Sequence, residues 1–121
     1  MLAPSAALAQ DIVLPVYAYD MLAEVTFALN ADAKCDGIKS RAKNVEGRIA
    51  DLYKQLMEGG VEPGAAVVHF ATPYAQEQVD LRSVALLEKY DAAPDSDADF
   101  CRAVRAEAAQ NKTLAKLMRI R

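Results

Sequence analysis

The chain has no tryptophan, a single histidine, two cysteines and only five tyrosines and three phenylalanines among 121 residues. Each shortage excludes something. With so few aromatics, any core must be built from Leu, Val, Ile, Ala and Met, which is adequate but small for the length. One histidine cannot supply a transition-metal site that takes three or four ligands, so His69, inside the apolar Val67-Val68-His69-Phe70, is expected to be a packed or partly exposed side chain. No G-x-S-x-G elbow accompanies it. Gly59-Gly60 and Gly64 lack the lysine and the preceding strand of a phosphate-cradling loop. Asp95, Asp97 and Asp99 have the spacing of the first three calcium ligands of an EF-hand, but Phe100 occupies the glycine position, and the acids read as helix-start chemistry. The expectation is no catalytic residue, no metal and no cofactor: the chain is not read as an enzyme. No stretch reaches the ~18–20 continuous apolar residues of a membrane span, so none is expected.

What is present is helical pattern. Ala18, Leu22, Val25 and Leu29 recur at one-face spacing after Pro15, which suits a first helical position. Gly37, in Cys35-Asp36-Gly37, can take the left-handed conformation that ends this helix. Ile38, Ala42, Val45, Ile49, Leu52 and Leu56 alternate steps of four and three, with Tyr53 and Met57 widening the stripe, and Gly59-Gly60 stops it. Gly47 inside that pattern either allows a close neighbour or is merely tolerated. The piece from Ala65 to Ala71 is a short helix or a buried extended segment. Thr72-Pro73 reads as an N-cap and first-position proline for a helix with Val79, Leu86, Leu87 and Tyr90 inward. Ser96-x-x-Asp99 resembles a capping box for a last helix whose inner face is Cys101, Val104, Ala108, Leu114, Leu117 and Met118. An all-α domain results: a small antiparallel bundle of four to five helices spanning 10–121.

Residues 1–9 read as a signal-peptide remnant, because Ala7-Leu8-Ala9 closes a small-residue apolar run as an A-x-A cleavage site would. Export leads to a periplasmic or secreted location and a disulfide between Cys35 and Cys101. Closing 66 positions would stabilise the fold by ~4 kcal/mol in the chain-entropy picture. Charge is segregated along the chain although the net charge is only −3. Lys34, Lys39, Arg41, Lys43 and Arg48 form one basic segment, and Arg102, Arg105, Lys112, Lys116, Arg119 and Arg121 a second, with an acidic stretch at 62–99 between them. Such segments either attract one another as packed neighbours or are solvated helix faces. A DNA- or membrane-binding patch would need the two basic segments side by side, and the acidic stretch counts against that; no nucleic-acid partner is expected.

Cys35-Asp36-Gly37-Ile38-Lys39-Ser40-Arg41 resembles the C-x-x-I-x-x-R helix start of a family of small secreted alphaproteobacterial proteins, catalogued as a domain of unknown function. Phe100-Cys101, then Glu107 and Leu114-Ala115-Lys116-Leu117-Met118-Arg119, is similar to that family's closing segment, with Val104 and Ala115 at positions where its pattern has glycine. The resemblance implies a secreted two-cysteine helical domain and no activity. Three functional expectations follow: an interaction or accessory protein that docks on another envelope protein, a periplasmic stress chaperone that opens in acid, and a binder of a small apolar ligand through Tyr17, Tyr19, Phe27 or Phe70.

Overall fold

The computed structural model describes residues 14–121, so the signal remnant expected at 1–9 lies outside the described residues. Among the described residues, six helices and two short strands follow one another: α1 (Val16–Lys34), β1 (Ile38–Ser40), α2 (Ala42–Glu58), α3 (Pro63–Phe70), α4 (Pro73–Lys89), α5 (Asp97–Gln110), α6 (Lys112–Ala115) and β2 (Met118–Ile120). The all-α bundle is thus present, with a small antiparallel sheet added.

Helix α1 is the central element, with α2, α4, α5 and β1 packed around it. That position explains why its buried set is wider than one periodic stripe. Ala18, Ala23, Ala28 and Ala31 are buried beside Tyr19, Met21, Val25 and Phe27, because a helix surrounded by others must present small residues where they approach. Leu29, expected inside, is 48% exposed. Pro15 stands at the N-cap, one position before the first helical turn.

Two apolar clusters share this helix. One gathers Ala23 to Ala31 of α1 with Ile38, Val45, Val79, Leu86, Val104, Leu114, Leu117 and Met118. The other gathers Leu14 to Met21 with Leu52, Leu56, Ala66, Phe70 and Ala75, and Leu22 packs against both. The short apolar piece resolves as helix α3, with Pro63 in its first turn. Thr72 Oγ1 accepts from Ala75 N–H and donates to His69 O, the capping expected from Thr72-Pro73. Met57, assigned to the α2 stripe, is 57% exposed, and nothing lies within 4 Å of where a side chain at Gly47 would sit. Gly47 is therefore tolerated rather than required.

Several expectations change at and beyond the cysteines. The second helix begins at Ala42, not Ile38, because Cys35 and the left-handed Gly37 (φ 81°) turn the chain into β1. The resembled C-x-x-I-x-x-R stretch is accordingly a turn and strand here, not a helix start. The last helix divides at Asn111, whose backbone is extended and whose Oδ1 caps Leu114 N–H at 3.1 Å. Beyond it the chain forms β2, paired with β1 in the register Ile38↔Ile120, Lys39↔Arg119 and Ser40↔Met118. Ser96 Oγ does accept from Asp99 N–H, but the Asp99 carboxylate reaches back to Ala93 N–H, so the capping box closes one turn earlier in the chain. Val104 is fully buried and fills its contact with a side chain.

Candidate functional site

The disulfide Cys35–Cys101 joins the end of α1 to the first turns of α5, with Cα atoms 5.6 Å apart. Together with the strand pair it brings residues 35–41 against the chain's final stretch. Arg41 N–H donates to Leu117 O at 2.8 Å, its Nε donates to Met118 O at 3.2 Å, and Asn44 Nδ2 donates to Lys116 O at 2.7 Å. Arg105 is spent at the same seam, donating to the backbone oxygens of Asp36 and Arg121.

The consequence is electrostatic. The two basic segments, far apart in sequence, lie side by side, and the acidic stretch between them does not separate them; this corrects the sequence expectation. Lys39 and Arg119 are direct cross-strand partners. A groove follows, running between the first turns of α2 and helix α6. One part, of about 440 Å³, is lined by Arg41, Asn44, Lys112, Ala115 and Lys116. The adjoining part, of about 350 Å³, is lined by Lys43, Asn44, Gly47, Arg48, Asp51 and Lys116 among others. Arg41, Lys43, Lys112 and Lys116 are exposed, and none of them forms an ion pair among the described residues.

The groove's floor is held from below by Glu24 of α1. Its Oε1 accepts from Arg48 Nη2 at 3.0 Å, and its Oε2 accepts from Thr113 Oγ1 at 2.8 Å and Asn111 Nδ2 at 3.3 Å. One carboxylate thus ties α1 to α2 and to the Asn111 break. Arg48 Nε is buried without a hydrogen-bond partner. Unmade hydrogen bonds at buried donors are costly, so this nitrogen would gain from an acceptor.

Several other charges do pair. Lys39 meets Asp32 and Lys34 meets Asp97, which links acidic to basic segments as attraction between neighbours would. A second groove of about 270 Å³ between α1, α4 and α5 is bordered by Asp20 with Arg82 and by Lys89 with Glu107, all engaged with one another. Lys89 above all, then Tyr90 and Asn111, hold the Glu107 carboxyl below the usual carboxylate range against the opposing effect of burial. The Asp32 carboxyl is likewise lowered, chiefly by the Ser40 N–H and hydroxyl.

His69 is 1% exposed, and its Nε2 lies 2.8 Å from the Tyr19 hydroxyl. Tyr19, Phe27 and Phe70 are buried and Tyr17 partly so; they are core and boundary residues, and Phe27 borders the groove between α1, α4 and α5. Among the described residues no group of three or more His, Cys, Asp or Glu is placed to hold a metal ion, and no helix is long and apolar enough to cross a membrane. The sequence reading missed the cationic groove because it missed β2; the alternation Met118-Arg119-Ile120-Arg121 and the N-cap residue Asn111 were the available signals. The chain matches no family model, no curated protein and no solved structure.

Proposed function

We propose that this is an exported, non-catalytic accessory protein of the cell envelope that docks on another envelope protein through its cationic groove. One observation carries the reading: four exposed cations without ion-pair partners, from two distant segments, converge beside a concave surface. Like charges held together repel, so the arrangement lowers stability unless a counter-charge meets it, whereas complementary potentials across an interface steer encounter and set register. The disulfide suits an oxidising compartment and the signal-like 1–9 segment suits export to a periplasmic or secreted location. Membership of the small secreted two-cysteine family that residues 35–41 and 100–119 resemble belongs to the same proposal.

The test is a pull-down of the tagged protein from crosslinked envelopes, repeated with Lys112→Glu/Lys116→Glu. A stoichiometric partner retained by the wild type and lost by the variant supports docking. Equal recovery by both, or no partner at all, overturns it. A chaperone-like role is a second reading, favoured by the exposed Val67, Val68, Tyr74, Leu81 and Val84 on α3 and α4. Acid-released clients, with dye binding to apolar surface near pH 3 and none near pH 7, would move the assignment there.

A further inference from the structure

We infer that the element seated in this groove is an extended, acidic segment of the partner protein, lying along the line where α2 meets α6. The inference rests on the docking reading above and adds the chemistry of the occupant. Its first support is the distribution of charge. Arg41, Lys43, Lys112 and Lys116 line the two connected depressions, against a single lining carboxylate, Asp51. Asn44 and Lys116 border both, so the depressions form one continuous path rather than two isolated pits. A row of cations along a path suits a row of carboxylates on a chain better than one compact anion.

The second support is the Arg48 guanidinium. It is a fifth cation on the same path: Glu24 engages its Nη2, and the side chain keeps 26% of its surface exposed. A carboxylate is the acceptor that a guanidinium nitrogen engages most strongly.

The third is what the groove does not contain. None of its lining residues is aromatic, so it offers no platform on which nucleic-acid bases could stack. The large exposed apolar residues Val16, Leu29, Met57, Tyr74, Leu81 and Val84 all lie off its lining. A bilayer-binding face normally adds an apolar wedge to its cations and needs access to a flat surface. A path lined by exposed cations and free of large exposed apolar side chains fits a peptide.

Fluorescence anisotropy with a labelled octaglutamate peptide tests this on the full chain. The expected result is saturable binding that weakens at least tenfold in Lys116→Glu but stays within twofold of wild type in Lys54→Glu. Both substitutions change net charge equally, and Lys54 lies on α2 outside the groove lining. Thermal melting checks that both variants fold; because Lys116 is hydrogen-bonded through its backbone N–H and oxygen and not through its side chain, that side chain can be replaced without loss of those contacts. Equal weakening by both variants, or no binding, overturns the inference. Tighter binding to phosphatidylglycerol vesicles or to single-stranded DNA than to the peptide also overturns it. If the peptide fails while the envelope pull-down still depends on Lys112 and Lys116, the docking reading survives and only the acidic-segment assignment falls.

Discussion

Around the C-terminal half of α1, contacts close over most of the chain's length: Cys35 to Cys101, Arg41 to Leu117, Asn44 to Lys116, Glu24 to Thr113. Around its N-terminal half, the protein relies on packing. Leu14, Tyr19, Leu52, Leu56 and Phe70 pack there, with Tyr53 edge-on to Phe70 and the Tyr19–His69 contact as the buried polar link between α1 and α3. The two regions solve different problems. A strand pair of three residues each is marginal alone, and bringing its halves together costs loop-closure entropy that a covalent link removes from the unfolded chain. A cluster of buried side chains needs no staple, but it depends on shape and on satisfying each buried polar group. The stapled region is also the one that carries the cationic groove, so covalent closure opposes a repulsion that packing alone would have to overcome.

The largest effect is expected at the disulfide. Cys35→Ser/Cys101→Ser should lower stability by about 4 kcal/mol, read from urea unfolding. In hydrogen exchange the β1 and β2 amides should lose protection before those of α3. Equal loss in both regions would mean that the bundle unfolds as one unit and that the distinction drawn above has no energetic content.

Next is the polar link in the packed region. Tyr19→Phe removes the hydroxyl that meets His69 Nε2 and should cost about 1–3 kcal/mol, since the ring nitrogen stays buried. A change below about 0.5 kcal/mol, within the range of an ordinary surface substitution, would show that the Tyr19 hydroxyl does not contribute to holding α3.

Two left-handed glycines sit in contrasting surroundings. Gly37 (φ 81°) would place a new Cβ 3.2 Å from Arg105 Nη2 and 3.3 Å from Arg121 O, whereas Gly60 (φ 91°) has nothing within 4 Å. Both alanine substitutions meet the left-handed penalty of about 1–2 kcal/mol, and Gly37→Ala should exceed Gly60→Ala because the backbone at Arg121 must also move. Equal melting-temperature shifts would show that the β1–β2 seam yields freely.

The smallest effect is with pH. Asp32 and Glu107 both have folded pKa values below the ordinary carboxylate range. Their contribution is therefore present at pH values above the unfolded carboxylate pKa and is lost as pH falls through the lowered folded values. Asp32 anchors β1, and Glu107 of α5 engages Lys89, Tyr90 and Asn111, so acid should loosen the stapled region first. Glu107→Gln should flatten the acid limb of a stability–pH curve and leave the curve above pH 6 parallel to wild type; an unchanged acid limb would remove Glu107 from this account.

Several of these features were legible in the residues. Thr72-Pro73, Ser96 and Gly37 act locally, through caps and a positive φ, and appear where their chemistry requires them. The α2 stripe held at Val45, Leu52 and Leu56 because three-and-four spacing selects one face whatever packs against it. It misled at Ile38, which kept the helical spacing yet lies in a strand, since pairing with residues 118–120 is a contact no local pattern encodes.

The sequence by itself determined a helical chain, its main helix stops and a cysteine pair able to staple it, because propensity, capping and periodicity act over a few residues. The tertiary structure alone decided that the chain's last stretch returns beside Cys35 as a strand, and hence that two basic segments become one groove. That outcome depends on Glu24, Arg41 and Asn44 meeting partners more than seventy positions away. Electrostatic fields add in space rather than along the chain, so the groove exists only once the fold has closed.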